Sequence, residues 1–559
     1  MTSFFSGASR VWIVLGAITA VFHIGLIFYG LVPNLVARPL HMALILPWVF
    51  LYSAKTPLEW WSGASITAIG VAGCVWIALN QQMLRNQYGF LEDQFQVVLA
   101  ITLLLIAMEG ARRMIGWPLP LVALCALLYG LYGQNIPGEF GHAGTPLRSF
   151  LGTLVIAEGG LWGSLTGGSV GVVAIFVIFG AVLNAGEAGQ GFMNVAAAAA
   201  GRLTGGAAKV SVLSSALFGS ISGSASANVA STGAITLPAM TKLGYPKRLA
   251  AAVEAVASSG GQIMPPLMGA GAFVMQRFEL QAVPEDQRPS TRVVAITSIF
   301  FLVPFSVLLF AMFIAGFTPQ YAAVIAIFAG VAVLFFDATP RMGLRQGITR
   351  LGDALRAIGQ QVAMIAAIII CASIIIGVLG ITGLGIKITS VILSGSGGTL
   401  WPALLLTALA CLLLGMEVPT TAAYVICVSV AGPALTQLGL EPLQAHLFVF
   451  WFALLSTITP PVCGAVFIAA GMIGENWLKV ALTAMALGVG LYIIPLAMIA
   501  NPDMIRIATN TTGALIAFVM VGIGLSCLSY ALIGRAGWLR RTLLAVGGFI
   551  ACFAGAFLP

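Results

Sequence analysis

Residues 238–244 read PAMTKLG, and residues 433–439 read PALTQLG. Five of the seven positions match, at an offset of 195 residues. The same offset carries Pro265-Pro266-Leu267-Met268-Gly269-Ala270 onto Pro460-Pro461-Val462-Cys463-Gly464-Ala465, with no gap between the two matches. It also sets Ile221-Ser222-Gly223-Ser224-Ala225-Ser226 opposite Met416-Glu417-Val418-Pro419-Thr420-Thr421, two polar interruptions in apolar sequence. The sequence therefore predicts two copies of one unit. Each copy runs through an apolar arm, a polar tip, a second arm, a short turn, a half helix, a polar break, Pro-Pro and another half helix.

The surrounding chain says in what solvent these copies sit. It is 559 residues long, 60% hydrophobic and 8% charged, whereas soluble proteins carry about one quarter charged residues. A water-soluble enzyme is excluded. Apolar runs predict membrane spans near 11–32, 40–54, 63–80, 95–111, 117–136, 168–187, 293–316, 318–336, 361–385, 479–499, 513–533 and 539–558, each close to the roughly 20 residues a helix needs to cross a bilayer. Shorter segments at 188–205, 341–358 and 386–396 fit amphipathic helices along the interface. The first run follows MTSFFSGASR without a convincing cleavage site and reads as a retained span. The net charge of +8 marks cytoplasmic loops rather than nucleic-acid binding. The eight cysteines form no C-x-x-C pair and imply neither a disulfide framework nor zinc. The sequence has no Walker-type loop and no H-E-x-x-H, and its four scattered histidines read as packing residues.

Irregular backbone at membrane depth leaves N–H and C=O groups that lipid cannot satisfy. Protein, water or a bound ion must do so. Half-helix C-termini suit Na⁺, and N-termini suit an anionic group. Ser220, Ser222, Ser224, Ser226 and Asn228 at the first tip, with Ser258, Ser259 and Gln262 at the first break, offer hard neutral oxygens for an alkali cation rather than a transition metal. The second copy offers Glu417, Thr420 and Thr421 at its tip and Ser456, Thr457 and Thr459 at its break. Glu417 reads either as a functional carboxylate or as a structural one bonded to free N–H groups at the tip. Glu254, four residues ahead of Ser258, reads as a structural hydrogen-bonding partner rather than a proton relay. Glu109 and Arg112 are spaced for a local ion pair. Small residues at 63–65, 167–169 and 196–200 read as close helix packing.

The stretch FGSISGSASANVAST (218–232), continued by LPAMTKLGYP and VEAVASSGGQIMPPLMGAGAF, resembles the fused membrane component of TAXI-type TRAP transporters. The upstream GEFGHAGTPLRSFLGTLVIAEGGLWG and the later LGMEVPTTAAY and STITPPVCGA are similar to it too. The resemblance implies a secondary active transporter of the bacterial inner membrane, not an enzyme. It would be driven by a Na⁺ gradient and receive small organic anions from a periplasmic TAXI-type binding protein. It also implies an elevator motion of the hairpin region against a scaffold. Carried onto this sequence, one cation site would draw on Ser220, Ser222, Ser224 and Asn228 with Gly260 and Gln262. The other would draw on Gly415, Glu417 and Thr420 with Thr457 and Thr459, and Pro265, Pro266, Pro460 and Pro461 would mark the structural breaks.

The expected fold is thus an all-α polytopic membrane protein with two repeats, each containing a re-entrant hairpin and a broken helix. A small four-helix accessory region spans 1–112, a transport region 113–500 with repeats near 113–316 and 317–500, and two terminal helices 501–559. Lys242, Lys247 and Arg248 mark the base of the first hairpin as cytoplasmic, as does the arginine cluster from Arg341 to Arg356 for its own segment. Only three crossings are expected between them, near 247–275, 293–316 and 318–336, so a helix is missing beside the polar Gln276–Arg292 linker. That gap leaves two alternatives to coupled transport, a passive channel or a transport-incompetent scaffold or sensor.

Overall fold

The computed structural model describes residues 9–30, 32–186, 188–203, 205–222, 225–261, 289–336, 343–415, 420–460, 463–533 and 537–557. In chain order the first helices are α1 Ser9–Tyr29, α2 Asn34–Pro47, α3 Pro57–Leu79, α4 Gln81–Asn86, α5 Gln94–Ile115 and α6 Pro118–Tyr132. Next come α7 Leu147–Val155, α8 Ser164–Gly168, α9 Ala174–Ala185, α10 Ala188–Ala200, α11 Gly206–Ser222, α12 Ala225–Lys242 and α13 Lys247–Gly260. They are followed by α14 Thr291–Leu309, α15 Pro319–Val333, α16 Leu344–Thr382, α17 Leu384–Gly395, α18 Leu400–Leu414, α19 Thr420–Gln437 and α20 Pro442–Leu455. The last are α21 Gly464–Ile473, α22 Trp477–Leu487, α23 Val489–Ala500, α24 Thr511–Ile533 and α25 Trp538–Phe557. No strand occurs among the described residues, and nine of their helices are long and apolar enough to cross a membrane. The expected all-helical polytopic fold is the observed one.

The chain divides into two compact units, one of residues 1–188 and 299–387 and the other of 189–298 and 388–559. In the first unit the 39-residue α16 is the central column, packed by α1, α2, α5, α6 and α9. The sequence suggested an interfacial helix over 341–358 and a separate span over 361–385. Instead Leu344–Thr382 is one helix, because no proline interrupts it and its first left-handed residue is Gly383, at φ +65°. Its basic start is held by Arg350, which donates to the Phe336 carbonyl at 2.7 Å, and by an Arg356–Asp353 pair at 2.6 Å. Glu109 pairs with Arg112 at 2.6 Å, as its spacing predicts, and with Arg113 at 3.0 Å. His23 and His41, scattered in the sequence, meet at 2.7 Å, and His41 lies 3.1 Å from the Ser169 hydroxyl.

In the second unit the repeat is visible down to single hydrogen bonds. α12 and α19 each carry an internal proline, Pro238 and Pro433, and each stops at a glycine in the left-handed region. The φ angles are +83° at Gly244 and +96° at Gly439, conformations that exact little from glycine. Tyr245 N–H then donates to the Met240 carbonyl at 3.1 Å, and Leu440 N–H to the Leu435 carbonyl at 3.2 Å. This is the backward bond of a Schellman cap, made twice at equivalent positions. Pro246 leads into α13, and Pro442 opens α20 behind a capping box of Glu441 and Gln444.

The hairpin arms α11 and α12 pack on each other and on α13, and α18, α19 and α20 form the corresponding trio. At 17 and 18 residues the first arms are about as long as the thinnest spans allow. The two copies interlock, because α13 of the first packs against α21 and α22 of the second. One apolar core joins them, including Leu249 and Val253 on α13, Phe448 and Phe452 on α20, and Val466 and Ala469 on α21. The run expected as one span over 479–499 is two helices bent by 40° around Gly488. The linker expected to lack a helix, Gln276–Arg292, lies outside the described residues up to 288, and α14 begins at Thr291.

Candidate cation and substrate site

Two half helices end inside the second unit at the positions expected for the breaks, with residues 262–288 and 461–462 outside the described ones. α13 stops at Gly260, and α20 stops at Leu455, nine residues before α21 begins at Gly464. Each break lies against the end of its own hairpin arm. In the first copy this contact is backbone on backbone. A Cβ on Gly219 would come within 2.5 Å of the Gly261 carbonyl carbon, and one on Gly261 within 2.2 Å of the Ser215 oxygen. In the second copy the residue equivalent to Gly261 is Ser456, whose hydroxyl donates to the Gly415 carbonyl at 2.9 Å and lies 2.6 Å from that of Ala453. Arm end and break are thus joined in both halves by different chemistry.

Asn228 is fully buried near the start of α12. Its amide nitrogen donates to the Ser215 carbonyl at 2.9 Å and lies 3.4 Å from that of Ser258. Among the described residues, its side-chain oxygen has one long contact, 3.4 Å from the Thr232 hydroxyl. A neutral oxygen held in this way by its own amide group suits a hard monovalent cation. Gly260 is buried at the last position of α13. The first break also meets the second directly, through a 3.0 Å hydrogen bond between the Ser259 and Thr457 hydroxyls.

At the second break Thr457 donates to the Leu454 carbonyl at 2.8 Å, and Ala465 N–H reaches back across the gap to the Thr457 carbonyl at 3.2 Å. Thr459 lies 2.7 Å from the Leu455 carbonyl and 2.6 Å from the Tyr492 hydroxyl on α23. If Thr459 donates to the carbonyl, Tyr492 is the donor to Thr459, and the threonine oxygen keeps a lone pair. Pro460 sits at this break, half-buried.

The structure thus brings Asn228, Gly260, Thr457 and Thr459 to two adjoining breaks and sets Gly415 against the second. Ser220 and Ser222 lie on α11 and Thr420 on α19, with their side chains outside the described atoms. Ser224, Gln262, Pro265, Pro266, Glu417 and Pro461 lie outside the described residues.

Sequence reasoning missed the polar cluster around Glu254. This carboxylate is fully buried, and it accepts from Ser211 at 2.7 Å, Thr232 at 2.5 Å, Thr236, and Ser258 at 3.4 Å. The expected local bond to Ser258 is present but is the longest of the four. The available signal was the i, i+4 spacing of Thr232 and Thr236, which puts both hydroxyls on one face of α12. Tyr492 was missed as well, because it reaches the break from a different helix.

Interlocked repeats with helices interrupted at buried polar breaks define a class of membrane transport proteins. The chain belongs to the tripartite ATP-independent periplasmic transporter family, DctM component, whose model matches residues 101–280 and 274–513. It is therefore a transporter permease rather than an enzyme, and a multi-pass protein of the bacterial inner membrane. It is 24% identical over 335 residues to the C4-dicarboxylate TRAP transporter large permease protein DctM of Pseudomonas aeruginosa, covering 54% of this chain and 77% of that protein. It is 29% identical over 192 residues to the isethionate TRAP transporter permease protein DctMQ of Oleidesulfovibrio alaskensis, covering 31% of this chain and 30% of that protein. An uncharacterized Salmonella typhimurium protein, YgiK, is 35% identical over 102 residues, which are 18% of this chain and 23% of that protein.

Proposed function

We propose that this chain is the fused small-plus-large permease of a TAXI-type TRAP system, importing small carboxylates by Na⁺ symport. The large component would occupy 113–500, with the accessory four-helix region at 1–112 ahead of it and the helices of 501–559 behind. A periplasmic TAXI-type binding protein would deliver the substrate, and the hairpin region would carry it across as an elevator. Matches to permeases of C4-dicarboxylate and isethionate systems support an organic-anion substrate. The name of the second also supports a fused arrangement.

The observation that carries this reading is the pairing of arm end and break in both copies, with Ser259 bonded to Thr457 between them. Cations at the two breaks would use Asn228, Gly260 and the first tip, Ser220, Ser222 and Ser224 with Gln262. The second would use Thr457, Thr459 and Gly415 with Glu417 and Thr420. Bound cations order the tips and offset the substrate's negative charge, so that the loaded site moves at lower cost than the carboxylate alone.

The test is uptake of radiolabelled succinate and other small carboxylates into liposomes holding the chain and its binding protein, under inward, absent or outward Na⁺ gradients. Accumulation that needs the inward gradient and is weakened by Thr457→Ala supports the reading. Flux that only follows the substrate's own gradient would instead identify a passive channel. No flux from folded protein with a partner shown to bind the substrate would identify a transport-incompetent form.

A further inference from the structure

Glu254 has a setting that the two cation sites do not explain. Its four partners among the described residues, Ser211, Thr232, Thr236 and Ser258, are all buried neutral hydroxyls, and they come from α11, α12 and α13 itself. The titratable and charged groups on the helices packed around it are Lys209 on α11, Lys242 on α12, Lys247 and Arg248 on α13, Cys463 at the start of α21, and Lys479 on α22. Among the described residues none of them forms a hydrogen bond or ion pair with Glu254. A buried carboxylate without a cationic partner is costly as an anion unless hydrogen bonds compensate it. A metal ion is not the obvious remedy, because Ser211 and Thr232 already approach at 2.7 and 2.5 Å, which is direct hydrogen-bonding distance.

The hydroxyls themselves are two-way. Thr232 Oγ1 lies 2.8 Å from the Asn228 carbonyl, and Thr236 Oγ1 lies 3.0 Å from the Thr232 carbonyl. Each therefore has a second acceptor on its own helix, four residues back. With Glu254 ionised, both hydroxyl protons point at the carboxylate. With Glu254 protonated, a threonine turns its proton to its i−4 carbonyl and accepts the new carboxyl O–H. Both states are satisfied by rotating hydroxyls, without moving backbone. Gly233 makes the space, since a Cβ there would lie 3.3 Å from the Glu254 Cγ.

We propose that Glu254, with Ser211, Thr232, Thr236 and Ser258, forms a proton-binding site linked through Thr232 and Asn228 to the first cation site. A hydronium ion supplies the proton: its O–H bond breaks, an O–H bond forms at one carboxylate oxygen, water leaves, and the cage goes from one negative charge to neutral. Thr232 is the link, lying 3.4 Å from the Asn228 side-chain oxygen as well as bonding the carboxylate. Proton occupancy at Glu254 and cation occupancy at Asn228 therefore influence one another. This inference rests on the transport reading only for its use in coupling; the proton site itself stands or falls separately.

Infrared difference spectroscopy of the purified full chain in liposomes, titrated across the physiological pH range, reads the site without any substrate. The expected result is a protonated-carboxyl C=O band that grows as pH falls, is lost in Glu254→Gln and shifts in Glu254→Asp. Thr232→Val keeps the carboxylate and is expected to displace the midpoint of the same band. If Glu254→Gln does not fold, the Glu254→Asp shift alone assigns the band. A band that does not titrate, or that is unchanged in Glu254→Gln or Glu254→Asp, overturns the proposal. Na⁺-driven uptake with no titrating band would leave the transport reading intact and remove this one. A titrating band in a chain that transports nothing would do the reverse.

Discussion

The two repeats share a backbone plan and differ at its centre. Both have the proline-bearing arm, the glycine cap and the half helix, but the polar cage of the first has an apolar counterpart in the second. At the offset of 195 residues, Glu254 meets Val449, Thr232 meets Cys427, Thr236 meets Ala431, Asn228 meets Ala423 and Ser258 meets Ala453. All five of those second-repeat residues are buried. Duplication kept what positions the helices, and the chemistry of the buried face diverged. A buried polar cluster needs every member satisfied, so it is retained or lost as a set.

The largest expected effect comes from forcing the second repeat to imitate the first. Val449→Glu places a carboxyl group where Cys427, Ala431 and Ala453 stand in place of the hydroxyls of Thr232, Thr236 and Ser258. It should cost about 3–5 kcal/mol of stability, read as a large fall in the thermal unfolding midpoint of the purified protein. A midpoint close to wild type would mean that the second repeat satisfies a carboxyl as well as the first, and the comparison would fail. A smaller effect is expected from Gly261→Ala, whose new methyl would meet the Ser215 oxygen at 2.2 Å. Backbone must shift there, at about 1–3 kcal/mol; an unchanged midpoint would show that arm and break are not in backbone contact. Ser456→Ala, at the equivalent position of the second repeat, removes a hydroxyl shared between the Gly415 and Ala453 carbonyls and should cost about 1 kcal/mol. If Ser456→Ala proved more damaging than Gly261→Ala, the two joints would have been ranked in the wrong order.

Much of this architecture was legible because duplication writes itself as an offset. PAMTKLG and PALTQLG located both caps, and the run STITPP located the second break between Leu455 and Gly464. Asn228, Thr457 and Thr459 were legible as polar residues in apolar sequence. The Glu254 cage was not, because its hydroxyls come from three helices, with Ser211 lying 43 residues before the carboxylate. Local spacing exposed Ser258 alone. The meeting of His23 and His41 was hidden for the same reason, since it depends on how α1 and α2 pack. The continuity of α16 is hidden by a change from basic to apolar sequence that resembles a boundary, although nothing in Leu344–Thr382 breaks a helix.

Opposite entry of the two copies into the membrane, expected from where the basic residues lie, is open to a direct test. The caps at Gly244 and Gly439 are equivalent points on the two copies. The basic residues Lys242, Lys247 and Arg248 surround the first, whereas 437–443 carries none. Single cysteines at Lys242 and at Gln437, in a background lacking the eight native cysteines, can be probed in intact cells with a membrane-impermeant maleimide. Labelling from outside at position 437, and only after permeabilisation at position 242, is the expected result. Labelling of both from the same side would contradict it.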